Sequence, residues 1–170
     1  MTVKILGAIM VIVSCGGLGF LIAASHRREV RSLRLLISAL DYMECELQYR
    51  MTSLPELCTQ VAVLLNGPLK AAFSSLASEL ENQISPNVEL CMQAVLQSTR
   101  ELPKLSREVL SKLGSSLGHF DLEGQLRGLD AVRNESRRIL DTYSKNQDVR
   151  LRSYQTLGIC AGAAIAILFI

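Results

Sequence analysis

The chain has no tryptophan, two histidines and an aromatic content of only 5%. So few aromatic rings supply no stacking platform for single strands, and a net charge of +2 gives no broad basic footprint. Nucleic acid is therefore not an expected partner. Nowhere does Gly-x-x-x-x-Gly-Lys precede Ser or Thr, so the phosphate loop of nucleotide hydrolases is missing. The five cysteines lack metal or redox spacing: Cys15 and Cys160 fall in apolar ends, while Cys45, Cys58 and Cys91 lie far apart and read as reduced core thiols. His26 stands among arginines. His119 lies near Asp121 and Glu123, but Asp121 reads as a helix cap and a metal would need further ligands. Glu44 with Glu46, and Glu79 with Glu81, are each two residues apart and do not share a helix face, so no acid–base pair emerges. These gaps argue against an enzyme, a metal and a cofactor.

Strand-like alternation is also missing, and helical periodicity fills the space. Val30, Leu33, Leu36, Ile37, Leu40, Met43 and Leu47 recur at steps of three and four, which predicts a helix with one apolar stripe and no breaker between Ser25 and Arg50. Ser53 to Glu56 has the spacing of a capping box and predicts a helix to about Asn66. Gly67 and Pro68 stop it and open another, which runs to about Gln83. Ser85-Pro86 and Pro103 open two more, the second ending between Gly114 and Gly118. Asp121 caps a last long helix with a stripe of Leu122, Leu126, Leu129, Val132, Ile139, Leu140 and Tyr143. The fold class is all-α, with six helices in residues 26–153.

Both ends of the chain are apolar. Residues 5–25 hold no ionisable side chain apart from the normally neutral Cys15, and as a helix would be ~31 Å long, enough for a bilayer core. The tail, 154–170, reaches the lower limit for a span if Tyr154, Gln155 and Thr156 are interfacial. Of 18 Lys and Arg, only Lys4 lies outside the segment between these stretches. Arg27, Arg28, Arg31 and Arg34 crowd the first, a placement suited to anionic lipid headgroups, and Lys145, Arg150 and Arg152 precede the second. Positive residues stay on the cytoplasmic side, so the expected layout is a membrane helix over 1–25, a cytoplasmic bundle over 26–153 and a membrane helix over 154–170, with both termini outside the cytoplasm. Gly19 with Ala23, and Gly158 with Gly162, place small residues on one face of each span, suited to close packing within the hairpin or between copies of the chain.

Residues 40–57, "LDYMECELQYRMTSLPEL", resemble the stage III sporulation protein AB family of spore-forming bacteria. Two acids, a tyrosine and Thr-x-Leu are met by Glu44, Glu46, Tyr49, Thr52 and Leu54, with Ser53 where the family usually has proline. A second stretch, "LGSSLGHFDLEGQ", is similar to a further family element through Leu117, Gly118, Asp121 and Gln125. The resemblance covers the whole chain, including both apolar ends. It implies a mother-cell membrane component of the channel apparatus that links mother cell and forespore. It also implies a cytoplasmic domain like that of the type II secretion inner-membrane platform, and two sets of partners: a cytoplasmic sporulation ATPase and other membrane subunits of the channel. On that footing Glu44, Glu46, Tyr49, Gly118, Asp121 and Gln125 are the candidate partner-binding residues. Two alternatives stay open: the acids form ion pairs with arginines of the bundle, and the protein is a passive anchor without coupling to ATP hydrolysis.

Overall fold

The computed structural model describes the backbone of residues 2–82, 87–117 and 121–169, and the side chains of 24–82, 87–117 and 121–145. Among these residues there are six α-helices and no strand: α1 (Thr2–Arg50), α2 (Leu54–Leu64), α3 (Gly67–Glu81), α4 (Val88–Ser98), α5 (Lys104–Ser116) and α6 (Leu122–Phe169). The all-α class and the six helices therefore stand as the periodicity predicts. Among the described residues no helix is long and apolar enough to cross a membrane. The two expected spans, apart from residues 24 and 25, lie outside the residues whose side chains are described, and with them Gly19, Ala23, Gly158 and Gly162.

The chain divides into two compact units, residues 1–30 with 141–170, and residues 31–140. In the first, the rings of His26 on α1 and Tyr143 on α6 lie 6.1 Å apart and are tilted by 43°. Lys145 bonds Asp141 one turn before it at 2.7 Å. Arg27 and Arg28 are exposed.

The second unit holds the core. On α1 the stripe of Leu33, Leu36, Ile37, Leu40, Met43 and Leu47 is buried, as a 3.6-residue period requires of a helix with one inward face. α2 and α3, joined by two residues, pack together as a hairpin that buries Leu57, Val61, Leu69, Phe73 and Leu76. α4 packs on both α3 and α5 and contributes Cys91, Met92 and Val95. α6 departs from the expected stripe. Leu129 and Val132 are buried, whereas Leu122, Leu126, Ile139 and Leu140 are only half-buried. Its inward line continues through Ser136, fully buried, whose hydroxyl donates to the Val132 carbonyl at 2.7 Å and so needs no outside partner.

Close approach between helices depends on two glycines. A Cβ on Gly114 of α5 would stand 2.6 Å from the Cβ of Met92 on α4. One on Gly128 of α6 would stand 2.9 Å from the Cβ of Ser116 on α5. Each glycine lets two helix backbones meet where a side chain would hold them apart.

The helix ends partly differ from their sequence signatures. Asp121 caps α6 as expected, its carboxylate accepting from the Gly124 N–H at 3.1 Å. Ser53 sits at the N-cap of α2 but makes no side-chain capping bond, and Glu56 accepts from Gln60 one turn on rather than reaching back. Pro55 already occupies the first turn, where its missing N–H removes one of the orphan donors a box would serve. α4 opens at Val88 under Asn87, whose side chain accepts from the Glu89 N–H at 3.0 Å; Ser85 and Pro86 lie outside the described residues. The C-terminus of α4 is closed from α5: the Arg107 guanidinium donates to the carbonyls of Leu96 and, at 2.9 Å, Thr99.

The cysteines correct one expectation. Cys58 and Cys91 are buried, but Cys45 is exposed, because two residues past Met43 a helix turns a side chain to the opposite face. Burial pushes the Cys58 thiol up to about 12. A maleimide applied to the native protein at about pH 8 is expected to modify Cys45 and spare Cys58, since the thiolate is the reactive form. Mass-spectrometric peptide mapping reads both positions, and equal labelling of the two would contradict the packing of α2.

Candidate partner-binding surface

The residues of the first family element lie at the corner where α1 ends and α2 begins. The chain must turn there within three residues, and Met51 does so at φ 50°, in the left-handed region that non-glycine residues rarely occupy. Such a conformation persists only when its surroundings hold it. Glu46 supplies the hold. It is 8% exposed, its carboxylate accepts from the Thr52 hydroxyl at 3.3 Å, and it lies 3.5 Å from the Arg50 guanidinium. One buried acid thus grips the chain on either side of Met51. Nearby Tyr42 donates to Gln60 at 2.9 Å and ties α1 to α2. Its phenol pKa lies above the usual value, first through loss of solvation and then through the Glu46 carboxylate.

This arrangement leaves two large side chains in solvent. Tyr49 is 76% exposed and Met51 73% exposed. Tyrosine and methionine are residue types enriched in the cores of protein interfaces, where a stiff or adaptable apolar surface is covered on binding. The sequence signature named Tyr49 and missed Met51, whose exposure follows from the backbone turn and has no local sequence mark.

Glu44 plays a different part. Its carboxylate receives Nη1 of Arg133 from α6, while Nη2 of the same guanidinium bonds Asp130. Arg133 also lies 3.5 Å from Asp41, and Arg137 donates to both oxygens of Asp41 at 3.0 and 3.1 Å. Asp41 with Glu44 are three apart on α1, and Arg133 with Arg137 are four apart on α6, so each pair shares a helix face. The structure thus realises the ion-pair alternative for Glu44 and, through Arg50, in part for Glu46. A second bridge ties α5 to α6: Lys112 lies 2.6 Å from Glu135 and 3.3 Å from Glu108. Those carboxylates, Glu135 first, hold its pKa above the usual lysine value.

The second family element sits at the start of α6. Asp121 is exposed and Gln125 half-buried, its N–H donating to the Asp121 carbonyl at 3.0 Å as the helix begins. Gly118 and His119 lie outside the described residues. Among the described residues no three His, Cys, Asp or Glu side chains gather as metal ligands.

The model of the stage III sporulation protein AB family matches residues 4–170, nearly the full length. The chain belongs to the stage III sporulation protein AB family. Its members include the stage III sporulation protein AB of Bacillus subtilis (strain 168), which is 26% identical over 168 residues, 97% of this chain and 98% of that protein. A solved structure of stage III sporulation protein AB is also similar, with a TM-score of 0.62 and 26% identity over 72% of this chain and 98% of the solved one. Membership gives the protein a role specific to sporulation, and the structural likeness extends to the helical bundle.

Proposed function

We infer that this protein is a two-span membrane component of the mother cell–forespore channel apparatus. It docks the cytoplasmic sporulation ATPase through the corner between α1 and α2. The observation that carries the docking reading is the presentation of Tyr49, on the last turn of α1, and Met51, in the turn that follows, both about three-quarters exposed and flanking the contacts of the buried Glu46. A rigid, preformed apolar corner loses little conformational freedom on binding, which is what a docking anchor requires. In this reading Glu46 is a positioning residue and does not touch the partner, while Glu44 braces α1 against α6. The membrane part of the reading is supported by the apolar ends and by the arginines beside the first of them.

The test uses the full-length chain in detergent or nanodiscs with the purified ATPase. Tyr49→Ala is expected to weaken binding about tenfold or more, as interface anchors do. Glu46→Gln is expected to weaken it less, by loosening the turn. Wild-type affinity in a Tyr49→Ala, Met51→Ala double variant sinks the corner as the contact. An ATPase rate that rises on docking supports coupling; a rate left unchanged in the reconstituted assembly favours the passive anchor.

A further inference from the structure

We propose that the groove between α2 and α3 is a self-association surface in which a second copy of this chain packs its own α3, antiparallel, about a two-fold axis. The groove encloses about 250 Å³ and is lined by Thr59 and Val63 of α2 and by Lys70, Ser74, Ser78 and Glu81 of α3, among others. Val63 is 76% exposed, a large apolar side chain left in solvent at the groove wall.

The charges specify the occupant. Lys70 and Glu81 are eleven residues apart on α3, which is three helical turns, so they stand on one face about 16 Å apart along the axis. Both are exposed, and among the described residues neither makes an ion pair. The groove therefore carries an unanswered cation at one end and an unanswered anion at the other. The surface complementary to that pattern is the same pattern reversed. An antiparallel copy of α3 brings the partner's Glu81 to Lys70 and the partner's Lys70 to Glu81, giving two equal ion pairs from one symmetry operation. A parallel copy would set like charges against each other at both ends, so the pattern also rejects the wrong orientation. Near the midpoint between the two charges stands Ser74, exposed and small enough for the helix axes to approach closely at the dyad, with Ala77 buried beside it.

Exposed ion pairs contribute little affinity each, so the charges act mainly on orientation, and their reversal is the sensitive probe. The experiment measures self-association of the full-length chain in detergent by sedimentation velocity over a concentration series. The wild type is expected to dimerise. Lys70→Glu and Glu81→Lys, each alone, are expected to weaken dimerisation about tenfold, since each change turns two attractions into two repulsions. The double variant K70E/E81K is expected to dimerise like the wild type. An equimolar mixture of the two single variants is also expected to dimerise, because every cross-pair between them is again opposite in charge. The two recoveries show that neither change acts by unfolding the domain. A monomeric wild type, self-association indifferent to the single reversals, or single reversals that neither the double variant nor the mixture repairs would each overturn the two-fold arrangement.

Discussion

Gly114→Leu is expected to lower the stability of the helical domain by about 3 kcal/mol or more, the upper range for overpacking. The first added carbon would already stand 2.6 Å from the Met92 Cβ and 2.8 Å from its Cγ. A Cβ cannot rotate out of the way, so relief requires α4 and α5 to move apart. That would open the contacts of Met92, Val109 and Leu113, all buried. Gly114→Ala sets two effects against each other. Alanine gains roughly 1 kcal/mol of helix propensity over glycine, and overpacking costs about 1–3 kcal/mol. With a Cβ–Cβ approach this short the clash lies at the upper end of its range and wins, and a net loss of up to about 2 kcal/mol is expected. Urea titration followed by circular dichroism measures both variants. A Gly114→Ala protein more stable than the wild type would show that α4 and α5 lie farther apart than the structure has them.

Arg133→Met is expected to cost about 2 kcal/mol, a sum of opposed contributions. The pair with Glu44 is the strongest, because the two side chains are only 20% and 25% exposed and water screens them poorly. The contacts with Asp41 and Asp130 are about half exposed on the acid side and contribute less. Against these stands the Arg133 Nε, buried without a hydrogen-bond partner, which already lowers what the guanidinium contributes. The substitution also leaves Asp41, Glu44 and Asp130 without their shared cation, with Arg137 answering only Asp41. Glu44→Met is expected to cost less, since Arg133 retains two acids. A double-mutant cycle on Arg133→Met and Glu44→Met is expected to show coupling above about 1 kcal/mol. Additive effects would mean that the pair contributes nothing to holding α1 against α6.

Much of the architecture is legible in the residues. The six helices, the inward stripe of α1 and the Asp121 cap all follow from apolar spacing and cap chemistry, which act within a few residues. Other features depend on partners distant along the chain. The stripe of α6 is a case in point: seven apolar positions qualify, yet only the two beside Ser136 and the close-packed Gly128 are fully covered. Glu44 and Glu46 look alike in sequence, two acids on one helix. Their separate fates, one bridging to Arg133 and one buried under the Thr52 turn, were not legible. Asp41 with Glu44, and Arg133 with Arg137, share helix faces by their spacing, a pattern not singled out from the sequence, and nothing local says that those faces meet.

The sequence by itself determined the helical class, the apolar ends and the family, because period, hydropathy and motif are properties of neighbouring residues. Tertiary structure alone decided which acids are used up inside the bundle and which large side chains are left in solvent. Burial and ion pairing depend on contacts between residues as far apart as Glu44 and Arg133, and those contacts exist only once the helices have packed.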